Sequence, residues 1–169
     1  MATVHILLGG NLGDRINYLS QALQLIEQEA GCCLRVSSFF ETAPWGFEHH
    51  QNFINQVVVI ETSLDPYELL NITQDIENKL GRVRCGTQYI ARVIDIDILF
   101  YDDLVMNQMD LTIPHPHIQE RMFTLVPLTE IDGQMIHPVL KKTMLQLKQD
   151  CADKLPVVRF LPPQQGSQA

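Results

Sequence analysis

A chain of 169 residues suits one domain with a sizeable core, and two independent cores would be unusually small. Its composition, 46% hydrophobic and 19% charged, is globular rather than disordered, and no apolar run is long enough to span a bilayer. The net charge of −8 argues against a nucleic-acid surface, which needs clustered Lys and Arg to neutralise phosphates.

The N-terminus shows no basic segment followed by an apolar stretch, so no secretory signal is expected and the protein should stay in the cytoplasm. Residues 4–8 form a short apolar run ending in Gly9-Gly10-Asn11, which predicts a strand and then a tight turn. Asp14 can cap a helix striped by Ile16, Leu19, Leu23 and Ile26 and stopped by Gly31. Residues 34–40 read as a second strand, followed by a loop from Thr42 to Gln51 with unusual aromatic content. Residues 53–62 form a third strand with a near-continuous apolar centre.

The second helix is announced by Asp65 as N-cap, Pro66 as first helical residue and Glu68 as reciprocal capping partner. Leu69, Thr73, Ile76 and Leu80 follow at helical spacing, with Gly81 as the stop. Residues 82–91 lack periodicity and read as a mobile loop, and 93–101 as a fourth strand. The order β-α-β-β-α-β predicts an α+β, ferredoxin-like core: two helices packed on one face of a mainly antiparallel sheet. Further on, the sequence suggests a small hairpin over 104–113, helical pieces near 118–122 and 140–148, and a short strand at 157–160. The whole reads as a single domain over 1–161 with a flexible tail over 162–169.

Four cysteines, at 32, 33, 85 and 151, lack CxxC spacing and nearby histidines, so reduced thiols are expected rather than disulfides or zinc. Of seven arginines, Arg82, Arg84, Arg92 and Arg121 fall in one stretch, which in an acidic protein suggests a local anion site.

The most informative segment is Arg92-Val93-Ile94-Asp95-Ile96-Asp97-Ile98-Leu99-Phe100. In a strand, side chains alternate, so Asp95 and Asp97 share one face, about 6.6 Å apart along the strand, while Ile94, Ile96, Ile98 and Phe100 line the other. Two like charges on one face repel, and a hard divalent cation removes the conflict. The plain alternative is the polar face of a half-exposed strand. Ile113-Pro114-His115-Pro116-His117 follows, where prolines would hold His115 firmly enough to bond a phosphate or leaving group; surface histidines in a turn are the alternative. Asn55 is a polar residue inside an apolar strand, which favours a recognition role. No Walker-type phosphate loop is present, and the Gly9–Gly13 turn lacks its lysine and reads as structural.

Together these segments resemble the 6-hydroxymethyl-7,8-dihydropterin pyrophosphokinase family over roughly residues 2–135. The shared pieces are the Gly-Asn-Leu-Gly turn, Ser37-Ser38-Phe39-Phe40-Glu41-Thr42-Ala43-Pro44, Asn52-Phe53-Ile54-Asn55-Gln56-Val57 and Gly81-Arg82-Val83-Arg84. They continue with Arg92-x-x-Asp95-x-Asp97-Ile98-Leu99, Ile113-Pro114-His115-Pro116 and Glu120-Arg121-x-Phe123-x-Leu125-x-Pro127-Leu128. The resemblance implies transfer of the terminal pyrophosphate of ATP to the 6-hydroxymethyl group of a reduced pterin, with two Mg²⁺, in folate biosynthesis.

It implies that Asp95 and Asp97 hold the metals and that Arg82, Arg92 and His115 act with them in catalysis. It places Gln74, Glu77, Arg84, Arg92, Ile98, Thr112, His115 and Arg121 around ATP. Around the pterin it places Thr42, Ala43, Pro44, Trp45, Phe53, Asn55, Asp95 and Phe123, with Asn55 reading the amide edge. Small-molecule substrates only, and a monomer, are the expected partners and state. The chain departs from the family at Ile90-Ala91, where Gly-Pro is usual, at Tyr89, where Trp is common, at Gly10, a usual Ser, and at Asp110, an Arg in some members. Two other readings remain: a ferredoxin-like domain that binds nucleotide or pterin without turnover, and a metal-dependent phosphohydrolase that needs no pterin.

Overall fold

A computed structural model describes residues 1–43, 51–81 and 93–163. Strand β1 (Ala2–Gly10) is followed by helix α1 (Arg15–Glu29), β2 (Cys32–Val36), β3 (Phe39–Thr42), β4 (Phe53–Thr62), α2 (Pro66–Lys79) and β5 (Asp95–Tyr101). A short hairpin of β6 (Met106–Asn107) and β7 (Thr112–Ile113) follows, then a 3-10 turn over Ile118–Glu120, α3 (Met122–Asp132), α4 (Met144–Asp150) and β8 (Val157–Phe160). The sheet runs β5-β1-β4-β3-β8, with β2 also paired to β4, and every recorded pairing is antiparallel. This is the ferredoxin-like arrangement, extended by β8.

Both first helices start where the sequence placed them. The Asp14 carboxylate accepts the Asn17 N–H, and the Asp65–Glu68 capping box is complete in both directions. Each cap satisfies backbone donors that the first turn leaves unpaired. Gly81 follows α2 at φ +93, the left-handed conformation that glycine adopts without steric cost.

Helices cover both faces of the sheet rather than one. On one face α1 and α2 enclose a cluster of Val4, Ile6, Leu8, Leu19, Ile26, Ile54, Val58, Ile60, Leu69, Ile76, Ile96 and Ile98. On the other, Leu7, Val57, Leu99 and Phe100 pack against Leu125 and Leu128 of α3 and Met144 and Leu147 of α4. This explains the near-continuous apolar run of β4: a central strand enclosed from both sides has no polar face. α3 extends well beyond the expected 118–122 piece, and its Pro127 lies buried inside it.

Three local expectations are corrected. The run 34–40 is two strands broken at Ser37-Ser38, where the Ser37 N–H donates to the Val57 carbonyl (2.8 Å) and its hydroxyl accepts the Val57 N–H (2.9 Å). Gly9 and Gly10 belong to β1 itself, not to a turn after it. Phe100 faces α3 and α4 instead of sharing a side with Ile94, Ile96 and Ile98. The register between β1 and β5 shifts between His5 and Ile6, opposite Phe100 and Ile98, and such a bulge reverses the alternation.

Candidate active site

Three neighbouring strands and one helix start build the site. Gly9 of β1 lies directly between Asn55 of β4 and Asp95 of β5, and two residues back Leu7 lies between Val57 and Asp97. Residues paired across a sheet share a face, so Asn55, Asp95 and Asp97 stand on one side. Ile94, Ile96 and Ile98 are buried in the opposite cluster, which leaves both aspartates half-buried on this face. α3 packs on this face against Leu7 and Val57.

Asn55 is 4% exposed, and its side-chain Oδ1 lies over Gly9 of the neighbouring strand. Phe53 stands half-buried on the same face two residues before it, opposite Thr42, which is 4% exposed. Phe123 enters from the first turn of α3, with the Arg121 guanidinium 5.6 Å over its ring. Ala43 follows the end of β3 and is exposed. Pro44, Trp45, Arg82, Arg84 and Arg92 lie outside the described residues.

His115 is fixed from its backbone outward. Its N–H donates to the Leu99 carbonyl of β5 (2.9 Å), and its Nδ1 accepts the His117 N–H (3.2 Å). Burial lowers the imidazole pKa to about 4, with Arg121 and His117 adding repulsion and Asp95 opposing it. At neutral pH the ring is therefore uncharged, and with Nδ1 accepting, its proton sits on Nε2. The Nε2–H is a donor suited to a phosphate oxygen. His117 instead pairs with Glu120 at the surface (2.8 Å).

The residues expected around ATP divide. Glu77 of α2 is 2% exposed, and its Oε1 accepts the N–H of Ile96 (2.8 Å), the residue between the two aspartates. Glu77 thus holds the outer edge of β5 in place, a role the sequence did not indicate. Gln74 is half-buried one turn earlier on α2. Ile98 is buried in the core on the face away from the aspartates. Thr112 on β7 is half-buried, and its hydroxyl donates to Asn107 Oδ1 (3.4 Å).

Two ion-pair sets escaped sequence reasoning, because only the tertiary fold joins their members. Arg15 donates to Glu41 Oε2 (2.8 Å) and to the Asn52 carbonyl (2.8 Å), fixing the residue before Phe53. Asp132 at the end of α3 takes both Arg35 guanidinium nitrogens (2.7 and 2.9 Å) and bonds His5 Nε2 (2.6 Å).

Residues 5–133 match the family described as 7,8-dihydro-6-hydroxymethylpterin-pyrophosphokinase (HPPK). The chain belongs to this family. It is 46% identical over 132 residues to the 2-amino-4-hydroxy-6-hydroxymethyldihydropteridine pyrophosphokinase of Bacillus subtilis, covering 78% of each chain. To the protein of the same name from Aquifex aeolicus it is 40% identical over 148 residues, 88% of this chain and 91% of that one. It is also 38% identical over 160 residues to the folic acid synthesis protein fol1 of Pneumocystis carinii, covering 94% of this chain but 22% of that one. A solved structure of Plasmodium falciparum HPPK-DHPS wild type with pteroate superposes with a TM-score of 0.74 at 17% identity, over 88% of this chain and 44% of that one. That likeness extends the family assignment to the fold, and this chain spans under half of that longer protein.

Proposed function

We propose that this chain transfers the β,γ-pyrophosphate of ATP to the 6-hydroxymethyl oxygen of 6-hydroxymethyl-7,8-dihydropterin, giving AMP and the pterin diphosphate in folate biosynthesis. A bond forms between the hydroxymethyl oxygen and Pβ. The bond from Pβ to the oxygen bridging Pα breaks, that oxygen leaves on AMP, and the hydroxyl proton is released.

The observation that carries the reading is the Asn55 carboxamide, set inside an apolar strand on the same sheet face as two aspartates. A carboxamide donates and accepts at once, which matches the amide edge of a pterin. Phe53 and Phe123 offer aromatic faces for its ring, with Thr42 and Ala43 at the rim.

The donor chemistry fits magnesium. Two half-buried carboxylates on one face supply hard oxygen ligands, and among the described residues no group of three or more His, Cys, Asp or Glu is placed to enclose a metal. Mg²⁺ is commonly held in this way, by one or two carboxylates with substrate phosphates and water completing the shell. Asp95 and Asp97 would hold it. When bound, the metal would neutralise the polyphosphate and favour the ionised hydroxyl. His115 contributes a neutral Nε2–H to a phosphate oxygen and Arg121 a positive charge, so the protein aligns the reactants and stabilises charge. Among the described residues no helix is long and apolar enough to cross a membrane.

The test is ³¹P NMR of purified protein with ATP, Mg²⁺ and 6-hydroxymethyl-7,8-dihydropterin, beside a control without pterin. AMP and a pterin diphosphate should appear in the complete mixture alone. ADP and phosphate in both tubes would refute the reading in favour of a phosphohydrolase, and unchanged ATP would leave only a binding domain.

A further inference from the structure

Gly9 sits inside β1, paired with Asn55 on one side and Asp95 on the other. Its backbone does not ask for glycine. Its φ lies outside the positive range that Gly13 (+62) and Gly81 (+93) occupy. Glycine within a strand gives up side-chain packing and costs conformational entropy, so an extended, buried position beside Leu7 and Leu8 would ordinarily hold an apolar residue.

The space above Gly9 supplies the reason. A Cβ built there would fall on Oδ1 of Asn55, with Asn55 Cγ 3.5 Å and the Ile54 carbonyl oxygen 3.7 Å away. Two of these three nearest atoms belong to one carboxamide, and the backbone oxygen is at ordinary contact distance. The obstacle is thus the Asn55 amide in its present orientation, lying across the volume that a side chain at position 9 would fill. A methyl group at this position would force that amide into another rotamer, while the pairing of β1 with β4 and β5 need not change.

We propose that Gly9 is a positioning residue for pterin recognition, its missing side chain letting the Asn55 amide lie against the sheet in line with Asp95. The inference rests on the pterin-binding reading of Asn55. It concerns the pterin half of the site and leaves nucleotide binding outside its reach.

The test is a double-mutant cycle of Gly9→Ala and Asn55→Ala. Affinity for 6-hydroxymethylpterin is read by fluorescence titration with α,β-methylene-ATP and Mg²⁺ present, and affinity for the nucleotide analogue by calorimetry. Gly9→Ala should weaken pterin binding about 10- to 100-fold, the loss expected when buried hydrogen bonds are misaligned. Nucleotide affinity and the cooperative melting transition should stay as in wild type. On the Asn55→Ala background the same alanine should change pterin affinity less than about twofold, because the atoms it meets are gone. Wild-type pterin affinity in Gly9→Ala would overturn the proposal, as would an equal penalty on both backgrounds. If Gly9→Ala alone does not fold, the double variant decides: recovered folding ties the clash to the Asn55 amide, and failure of both overturns it. A wild-type protein that binds no pterin would instead strike down the reading of the site, leaving a distinct signature.

Discussion

Acidification should destabilise the ligand-free protein well above the range where carboxylates titrate, and His115 has a contribution of calculable size. In the unfolded chain its imidazole takes up a proton at the ordinary value of 6.5, while in the fold burial holds the pKa at about 4. The folded state therefore refuses a proton that the unfolded state accepts. Stability from this group is complete above about pH 6.5 and is lost progressively as the pH falls toward 4. The gap of about 2.5 units, at about 1.36 kcal/mol per unit, makes the full loss about 3 kcal/mol. Its physical origin is burial first, which strips hydration from a charged imidazole, and then repulsion from Arg121 and His117, with Asp95 opposing them. Urea unfolding at a series of pH values between 7.5 and 4, on wild type and His115→Gln without metal or nucleotide, isolates the effect. Burial also lowers His5 and His137, but both remain in each protein and cancel in the comparison. The variant should lose about 3 kcal/mol less than wild type across that range. Equal pH slopes for the two proteins would refute the argument.

Asp97→Ala should abolish pyrophosphate transfer while leaving the protein folded, because Asp97 is only half-buried and belongs to neither core cluster; near-normal turnover by ³¹P NMR would sink its metal-binding role. Asn55→Leu should weaken pterin binding about 10-fold or more with little change in nucleotide affinity, and calorimetry showing unchanged pterin affinity would count against recognition by the amide. Asp132→Ala leaves His5, 5% exposed, without its carboxylate and frees Arg35, so thermal unfolding should report a loss of about 2 kcal/mol with the active site intact. An unchanged melting temperature would mean that α3 is held to the sheet by its apolar contacts alone.

Much of the site was legible because its signals are local. Alternation alone put Asp95 and Asp97 on one face of β5, since the period of a strand is a property of its own backbone. The caps at Asp14 and Asp65 were readable for the same reason: capping partners lie within three residues of each other. Asn55 stood out as a polar residue in an apolar strand, a conflict that only a partner or ligand resolves. Alternation failed at Phe100, where a bulge shared with β1 turns the ring toward α3, and a bulge depends on the neighbouring strand rather than on the sequence of β5.

The sequence by itself therefore determined the first two helices, most of the strands they connect, their ferredoxin-like order, the aspartate pair and the family, but not the break at Ser37-Ser38. These are written in short-range periodicity and in motifs whose order along the chain survives without coordinates. Only the tertiary structure decided that helices close both faces of the sheet, that Glu77 holds the strand bearing the aspartates, and that Asp132 gathers His5 and Arg35. It also decided that Gly9 is a strand residue under Asn55 and not part of a turn, because 46 positions of sequence separate two residues that the register of β1 and β4 sets side by side. Contacts of that kind arise from strand pairing and helix packing, which bring distant residues together for reasons that no local pattern records.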